Sequence, residues 1–94
     1  MAAYVIVLVT EKDAARMKEY SAGAGPTIAP AGGEVQIRAK VVETLAGSLN
    51  PDRCLILKFE SAAAARTWYK SPEYQRMIPI RDAAMKPEFL LIEE

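Results

Sequence analysis

The side chains that could bind or transform a ligand in this chain are aromatic or cationic. They are Arg38, Arg53, Trp68, Tyr69, Tyr74 and Arg81. A tyrosine hydroxyl can donate and accept hydrogen bonds, and an arginine can hold an anion through parallel N–H donors. Such groups beside an apolar wall could hold the polar end of a small molecule. None of them is an evident base, so binding of a ligand with an anionic end is favoured over catalysis.

Several classes of site are excluded because their side chains are missing. The sequence has no histidine and a single cysteine, Cys54. A serine triad of the usual kind, a histidine-ligated metal, a cysteine zinc site and an iron–sulfur cluster therefore cannot be built. No two carboxylates lie at helical spacing on an apolar face, so no acid–base pair is predicted. We expect neither a metal nor a cofactor, and we assign no catalytic residue.

Tyr74 and Arg81 form the most suggestive pair. They lie seven residues apart, or about two helical turns, on a stripe that also carries Met77 and Ile78. A polar pair against an apolar wall is typical of a ligand pocket. If Arg81 holds the ligand, its replacement by lysine should weaken binding and leave the melting temperature nearly unchanged. A structural ion pair and a solvated surface charge remain alternatives for Arg81.

The other aromatic and cationic residues have structural explanations as well. Trp68 is expected mainly to pack in the core, as large aromatic side chains do. The tyrosines could equally lie in the core or in a pocket that supplies a partner for the hydroxyl. For Arg38 and Arg53 an ion pair, for example with Glu34 or Glu43, is favoured over a ligand contact. The candidate ligand-binding residues are Arg38, Tyr69, Tyr74 and Arg81.

Four strands are predicted to position these side chains, and three of them are apolar on both faces. Those three span residues 3–9, 53–59 and 87–93, and the first two should be central because both faces need cover. The fourth strand, residues 34–41, alternates strictly and should lie at or near a sheet edge. Its apolar side would carry Val35, Ile37, Ala39 and Val41.

Two helical regions separate the strands. The first is predicted to start near Thr10 and Asp13, which resemble a weak capping box, and to end at residues 32–33 in left-handed geometry. The second starts after Ser61, breaks near residue 70, and resumes as a segment kinked at Pro79. The order β-α-β-β-α-β predicts an α+β, ferredoxin-like fold with a four-stranded antiparallel sheet and both helical regions on one face.

The opposite face of this sheet is predicted to be a subunit interface. Two helical regions can cover only one face, yet three strands are apolar on both faces. Apolar residues make up 51% of the sequence, and the excess needs burial. A second copy packed sheet against sheet is the simplest cover, so we expect a homodimer in which the helix-free faces meet.

Composition sets further limits. Ninety-four residues are expected to form one domain, residues 1–94. Twelve basic and twelve acidic side chains cancel without a run of either sign, so neither nucleic acid nor a membrane is an expected partner. The apolar run at residues 2–9 lacks a basic leader and is too short to span a bilayer. Together with a single buried cysteine, this makes the cytoplasm the expected location.

The stretch TWYKSPEYQRMIPIR, residues 67–81, closely resembles the signature of the bacterial family known as domain of unknown function 1330. The strongest matches are Phe59, Ala65, Trp68, Tyr69, Ser71, Pro72, Tyr74, Pro79 and Arg81. Weaker matches lie upstream, at Tyr4, Tyr20, Gly32, Gly33, Arg38 and Gly47. The chain departs from the pattern at Ala46, where the family usually has an acidic residue, and at Pro30. The resemblance implies a ferredoxin-like fold that pairs into a dimeric α+β barrel, without an assigned activity.

Two classes of function stay open, with a third reading beside them. The first is a binding domain that takes a small, partly apolar ligand with an anionic end in a cleft near Tyr74 and Arg81. The second is a cofactor-free enzyme, like the monooxygenases and lactone isomerases of the superfamily that the resemblance implies, with a tyrosine as proton donor and an arginine stabilising an oxyanion. The third is a structural dimer that binds no ligand.

Overall fold

One antiparallel sheet contains the chain's four strands, which are β1 (Ala3–Glu11), β2 (Glu34–Lys40), β3 (Arg53–Phe59) and β4 (Met85–Glu93). The structure is a computed structural model, and it describes residues Met1–Glu94. The order of the strands across the sheet is β2-β3-β1-β4. β1 and β3 are therefore the two inner strands, as their two apolar faces predict, and β2 lies at an edge.

The α-helices between the strands are α1 (Ala14–Ala24) after β1, and α2 (Ala62–Lys70), α3 (Pro72–Gln75) and α4 (Ile78–Ala84) after β3. Two short 3₁₀ turns, Gly25–Thr27 and Ala29–Ala31, follow α1. Tyr20 of α1 and Trp68 of α2 pack against the same cluster as Val5 and Val7 of β1, so both helical regions cover one face. The α+β, ferredoxin-like prediction with a four-stranded antiparallel sheet is confirmed. None of the helices has the length and hydropathy needed to cross a membrane.

The predicted start of the first helix is wrong by about one turn. β1 continues to Glu11 because its pairing with β4 extends to the contact between Glu11 and Met85. Asp13 is the N-cap, and its side chain accepts a hydrogen bond from the Arg16 backbone N–H. Thr10 thus belongs to the strand, and long-range pairing overrides its local resemblance to a capping box.

Two proline-containing segments after β3 turn the chain back over the sheet. The Ser61 side chain caps α2 and the Ser71 side chain caps α3, as predicted. The predicted kink at Pro79 is wrong, because this residue lies in the first turn of α4 and begins a separate helix. A proline costs nothing there, since the first backbone N–H groups of a helix have no partner within it.

The edge strand β2 contains an irregularity that changes which side chains share a face. Val35 pairs with Leu57, and Ile37 pairs with Ile56, so the register shifts by one residue between them. Leu57 is buried under the helices, whereas Ile56 lies on the opposite, helix-free face. The prediction that Val35 and Ile37 share a face is therefore wrong. The bulge also places Arg38 opposite Leu55, on the helix-covered side.

The glycine pair before β2 has two different structural roles. Gly32 adopts φ 82°, the left-handed geometry that was predicted for the pair. Gly33 has no positive φ. It is needed because neighbouring core side chains leave no room for a Cβ at this position. A Cβ at Gly33 would lie 2.6 Å from Cε1 of Phe59 and 2.9 Å from Cγ2 of Ile28. Phe59 is 1% exposed, so its ring has little room to move.

We predict that Gly33→Ala destabilises the fold by about 1–3 kcal/mol, because the methyl group overpacks a closed part of the core. The matched control is Gly25→Ala, where a Cβ meets no atom within 4 Å outside the neighbouring residues of the chain and the backbone is already helical. That control should lose less stability than Gly33→Ala, because the new methyl group is crowded only by the ring of the following Pro26. Urea unfolding followed by circular dichroism measures both variants, and equal stability of the two would contradict the packing argument.

Candidate functional site

Arg81 lies at the centre of a buried cluster of tyrosines. Its residue exposure is 8%, and Nη1 donates hydrogen bonds to Tyr69 Oη at 2.9 Å and to Tyr74 Oη at 3.2 Å. Its Nε donates to Asp82 Oδ1 at 3.0 Å. Tyr74 Oη is in turn 2.8 Å from Tyr20 Oη, and either oxygen can donate across this contact. Each of the four helices thus contributes to a continuous hydrogen-bonded chain.

The helix boundaries explain how these side chains meet. Ser71 caps α3 through the backbone N–H of Tyr74 at 3.2 Å, which places Tyr74 in the first turn after the break. The new start of α4 then directs Arg81 across the sheet, where its Cζ lies 5.0 Å from the centroid of the Phe89 ring. The Tyr74 ring packs against the Trp68 ring with 4.5 Å between centroids. The cluster is therefore part of the core as well as a polar network.

Burial and hydrogen bonding shift the pKa values of Tyr20, Tyr74 and Arg81. Burial raises the pKa of Tyr20, and the neighbouring Tyr74 raises it further. Burial also raises the pKa of Tyr74, against the opposing effect of its hydrogen bonds to Tyr20 and Arg81. For Arg81, burial alone would lower the pKa, but hydrogen bonds to Tyr69 and Tyr74 outweigh it and the pKa is raised. These two tyrosines stay neutral, and Arg81 stays charged, at physiological pH.

A cleft of about 550 Å³ opens beside this cluster, between α1 and the helix-covered face of the sheet. Twelve of its sixteen lining residues are hydrophobic, and Trp68 and Phe89 form part of its wall. Its main polar side chains are Tyr20, Arg38 and Arg53. An apolar cavity with a few polar groups is the usual form of a small-molecule site.

The structure divides the four predicted site residues into two groups. Tyr69, Tyr74 and Arg81 are brought together as one cluster, but Tyr74 and Arg81 are buried and none of the three lines the cleft. Arg38 lines the cleft and makes no ion pair. Its position follows from the bulge in β2, which the alternating pattern did not reveal.

Sequence reasoning missed Tyr20, which joins the two groups by lining the cleft and contacting Tyr74. Its position on the apolar stripe of α1 was a usable signal, since a tyrosine there needs a partner for its hydroxyl. Arg53 does form the expected ion pair, but the partner is Glu11, at 2.7 Å, and neither Glu34 nor Glu43. No group of three or more cysteine or carboxylate side chains is placed to hold a metal ion.

Residues 2–94 match the family described as domain of unknown function (DUF1330). The chain belongs to this DUF1330 family. No curated protein matches the sequence of this DUF1330 chain. Its fold is similar to that of RPA0582, a protein of unknown function from Rhodopseudomonas palustris, with a TM-score of 0.84 and 20% identity over 99% of this chain and 82% of that one.

Two further solved structures share the fold of the DUF1330 chain. A dimeric ferredoxin-like protein of unknown function from Jannaschia sp. matches with a TM-score of 0.77 and 15% identity, over 100% of both chains. SnoaB from Streptomyces nogalater, a cofactor-independent oxygenase, matches with a TM-score of 0.70 and 14% identity, over 99% of this chain and 92% of that one. At these identities the likeness establishes the fold.

The burial of Arg81 changes what its replacement by lysine should do. Lysine keeps the charge but cannot reproduce the planar fork that bonds Tyr69, Tyr74 and Asp82, so we predict that Arg81→Lys destabilises the fold by about 1–3 kcal/mol. The matched control Arg76→Lys changes an exposed arginine without a side-chain bond and should stay within about 0.5 kcal/mol of the parent. Urea unfolding measures both. If the stability of Arg81→Lys is unchanged, the hydrogen bonds of Arg81 do not stabilise the fold, and the role in ligand binding that the sequence indicated is favoured instead.

Proposed function

We propose that the protein binds a small, partly apolar molecule with an anionic end in the cleft between α1 and the sheet. The observation that carries the proposal is the combination of mostly apolar walls with two arginines, Arg38 and Arg53, in one cavity of about 550 Å³. Apolar walls provide most of the binding free energy, and a cation fixes the orientation of a charged end. The balanced net charge of the chain does not by itself favour anions, so the local arginines are the relevant feature.

Arg38 is the cation best suited to hold the anionic end. Arg53 is already paired with Glu11 at 2.7 Å, whereas Arg38 has no carboxylate partner. Arg81 is less suitable than the sequence indicated, because it is 8% exposed and its Nε and Nη1 are bonded within the protein. The proposal therefore moves the anionic end of the ligand from Arg81 to Arg38 and keeps the ligand class.

A pair of fluorescent probes tests this assignment. We predict that Arg38→Gln weakens binding of 8-anilinonaphthalene-1-sulfonate about fivefold, because a charge-assisted contact at a partly exposed site is worth ~1 kcal/mol. The affinity of Arg38→Gln for N-phenyl-1-naphthylamine, the same molecule without the sulfonate, should stay within about twofold of that of the parent protein. Quenching of Trp68, the only tryptophan and part of the cleft wall, reports binding of both probes.

The matched control is Arg66→Gln, which removes an exposed arginine that does not line the cleft. It should leave both affinities unchanged. If Arg38→Gln loses affinity equally for both probes, the substitution has damaged the cavity and has not removed a contact to the anion. If neither probe quenches Trp68 in the parent protein, the cleft is not a ligand site.

We further propose that the protein works as a homodimer through its helix-free sheet face. Ile37, Leu90 and Ile92 lie on this face and are exposed in one copy, although they form an apolar surface with the inner strands. The structurally similar Jannaschia protein is described as dimeric, which supports self-association. A second copy would remove this apolar surface from water.

We predict a particle of about twice the 10.3 kDa chain mass in light scattering, and dissociation into monomers on Ile37→Lys. The bulge supplies a matched control in the same strand, since Val35 is also exposed, at 37% against 49% for Ile37, but points to the other face. Val35→Lys should therefore leave the dimer intact. Dissociation by both variants, or by neither, would contradict the assignment of the interface to the helix-free face.

A cofactor-free enzyme is the second candidate, and the structural similarity to the cofactor-independent oxygenase SnoaB favours it. Such chemistry needs a group that removes a proton from the substrate. The pKa of Tyr20, the tyrosine in the cleft wall, is raised by burial, so its hydroxyl keeps its proton and serves as a donor. Binding remains the first proposal because the cleft offers cations and a hydrogen-bond donor, and no base.

A further inference from the structure

The direction of the hydrogen bonds in the buried cluster can be worked out from its members. Tyr74 is 0% exposed, and its Oη contacts Nη1 of Arg81 at 3.2 Å and Oη of Tyr20 at 2.8 Å. An arginine can only donate, so Tyr74 accepts from Arg81. The O–H of Tyr74 then has one acceptor within reach, the hydroxyl oxygen of Tyr20. A buried O–H without an acceptor would be strongly unfavourable, so Tyr74 donates to Tyr20.

This order leaves the O–H of Tyr20 without an acceptor in the protein. Tyr74 is the one hydrogen-bond partner of the Tyr20 hydroxyl, and it is already the donor in that contact. Burial raises the pKa of Tyr20, so its hydroxyl group keeps its proton at physiological pH. Tyr20 also lines the cleft. Its O–H is therefore available to a water molecule or to a ligand in the cleft.

We propose that Tyr20 is the hydrogen-bond donor with which the cleft recognises a carbonyl-type oxygen of its ligand. This inference rests on the proposed function and narrows the ligand class. The ligand would be an apolar molecule with an anionic group for Arg38 and a separate acceptor oxygen, a ketone, ester or amide carbonyl, for Tyr20. Arg81 acts as a positioning residue, because its guanidinium cannot accept the Tyr74 O–H and so leaves Tyr20 as the acceptor of that proton.

Two uncharged probes remove the charge attraction to the arginines and test for a hydrogen bond to a carbonyl oxygen. They are 2-acetylnaphthalene, which has a carbonyl acceptor, and 2-ethylnaphthalene, which has nearly the same shape and none. The parent protein should bind the ketone about fivefold more tightly than the hydrocarbon, as expected for one net hydrogen bond. Titrations are followed by quenching of Trp68 in the cleft wall. Infrared spectra should show the carbonyl stretch of the bound ketone at lower wavenumber than in hexane, as hydrogen bonding requires.

Tyr20→Phe and Tyr74→Phe both remove the hydrogen bond between Tyr20 and Tyr74, but only the second keeps the Tyr20 O–H as a donor. Tyr20→Phe should abolish the preference for the ketone and the carbonyl shift, while 2-ethylnaphthalene binds within about twofold of the parent. Tyr74→Phe also loses the Tyr20–Tyr74 contact but keeps the Tyr20 O–H, so it should retain most of the preference. Circular dichroism confirms that each variant is folded. If Tyr20→Phe does not fold, the carbonyl shift decides the question, because with Tyr20 as the donor it should persist both in Tyr74→Phe and in Arg38→Gln.

The outcomes separate this inference from the proposed function. If 8-anilinonaphthalene-1-sulfonate and 2-ethylnaphthalene bind but the acetyl group gives neither higher affinity nor a carbonyl shift, the role of Tyr20 is overturned and the proposed function stands. If Tyr20→Phe retains the ketone preference, another group is the donor and the inference is likewise overturned. If no probe enters the cleft, both are overturned.

Discussion

The guanidinium of Arg81 must keep its charge where only 10% of its side chain reaches solvent, and the helical layer is arranged so that it can. Removing a cation from water is costly unless hydrogen bonds replace its hydration. Tyr69 and Tyr74 provide those bonds from α2 and α3, and the exposed carboxylate of Asp82 provides the countercharge. Tyr20 extends the network into α1. One buried charge thus joins all four helices above the sheet.

The same network determines the direction of the hydrogen bonds that reach Tyr20 in the wall of the cleft. Because Arg81 can only donate, Tyr74 accepts from Arg81 and donates to Tyr20, which is a residue of the cavity wall. In the proposal made above, the buried cluster is the support that orients Tyr20, and the ligand lies in the cleft beside it. Arg38 reaches the cavity independently, through the bulge in β2. The bulge in β2 and the buried Arg81 are far apart in sequence. Together they determine which polar side chains are placed in a mostly apolar cavity.

Membership in a family without an assigned activity leaves the chemistry to be argued from the site. The solved structures that resemble this chain include proteins of unknown function and one cofactor-independent oxygenase, at 14–20% identity. A fold shared at that level hosts different functions, so the similarity alone does not choose between binding and catalysis. The residues of the cleft favour binding, because they supply a donor and cations where a reaction would also need a base.

Local patterns in the sequence were enough to predict the element order, the inner strands β1 and β3, the serine caps at Ser61 and Ser71, and the pairing of Tyr74 with Arg81. These features follow from local patterns of propensity, capping and periodicity. Three features came from the three-dimensional structure alone: β1 continues to Glu11, the register of β2 shifts, and Tyr20 contacts Tyr74 across 54 residues of sequence. Strand pairing and side-chain contacts between distant segments depend on how elements pack, and no local pattern contains that information. The candidate site follows from those long-range contacts, so the sequence indicated Arg38 but neither Tyr20 nor the geometry of the cleft.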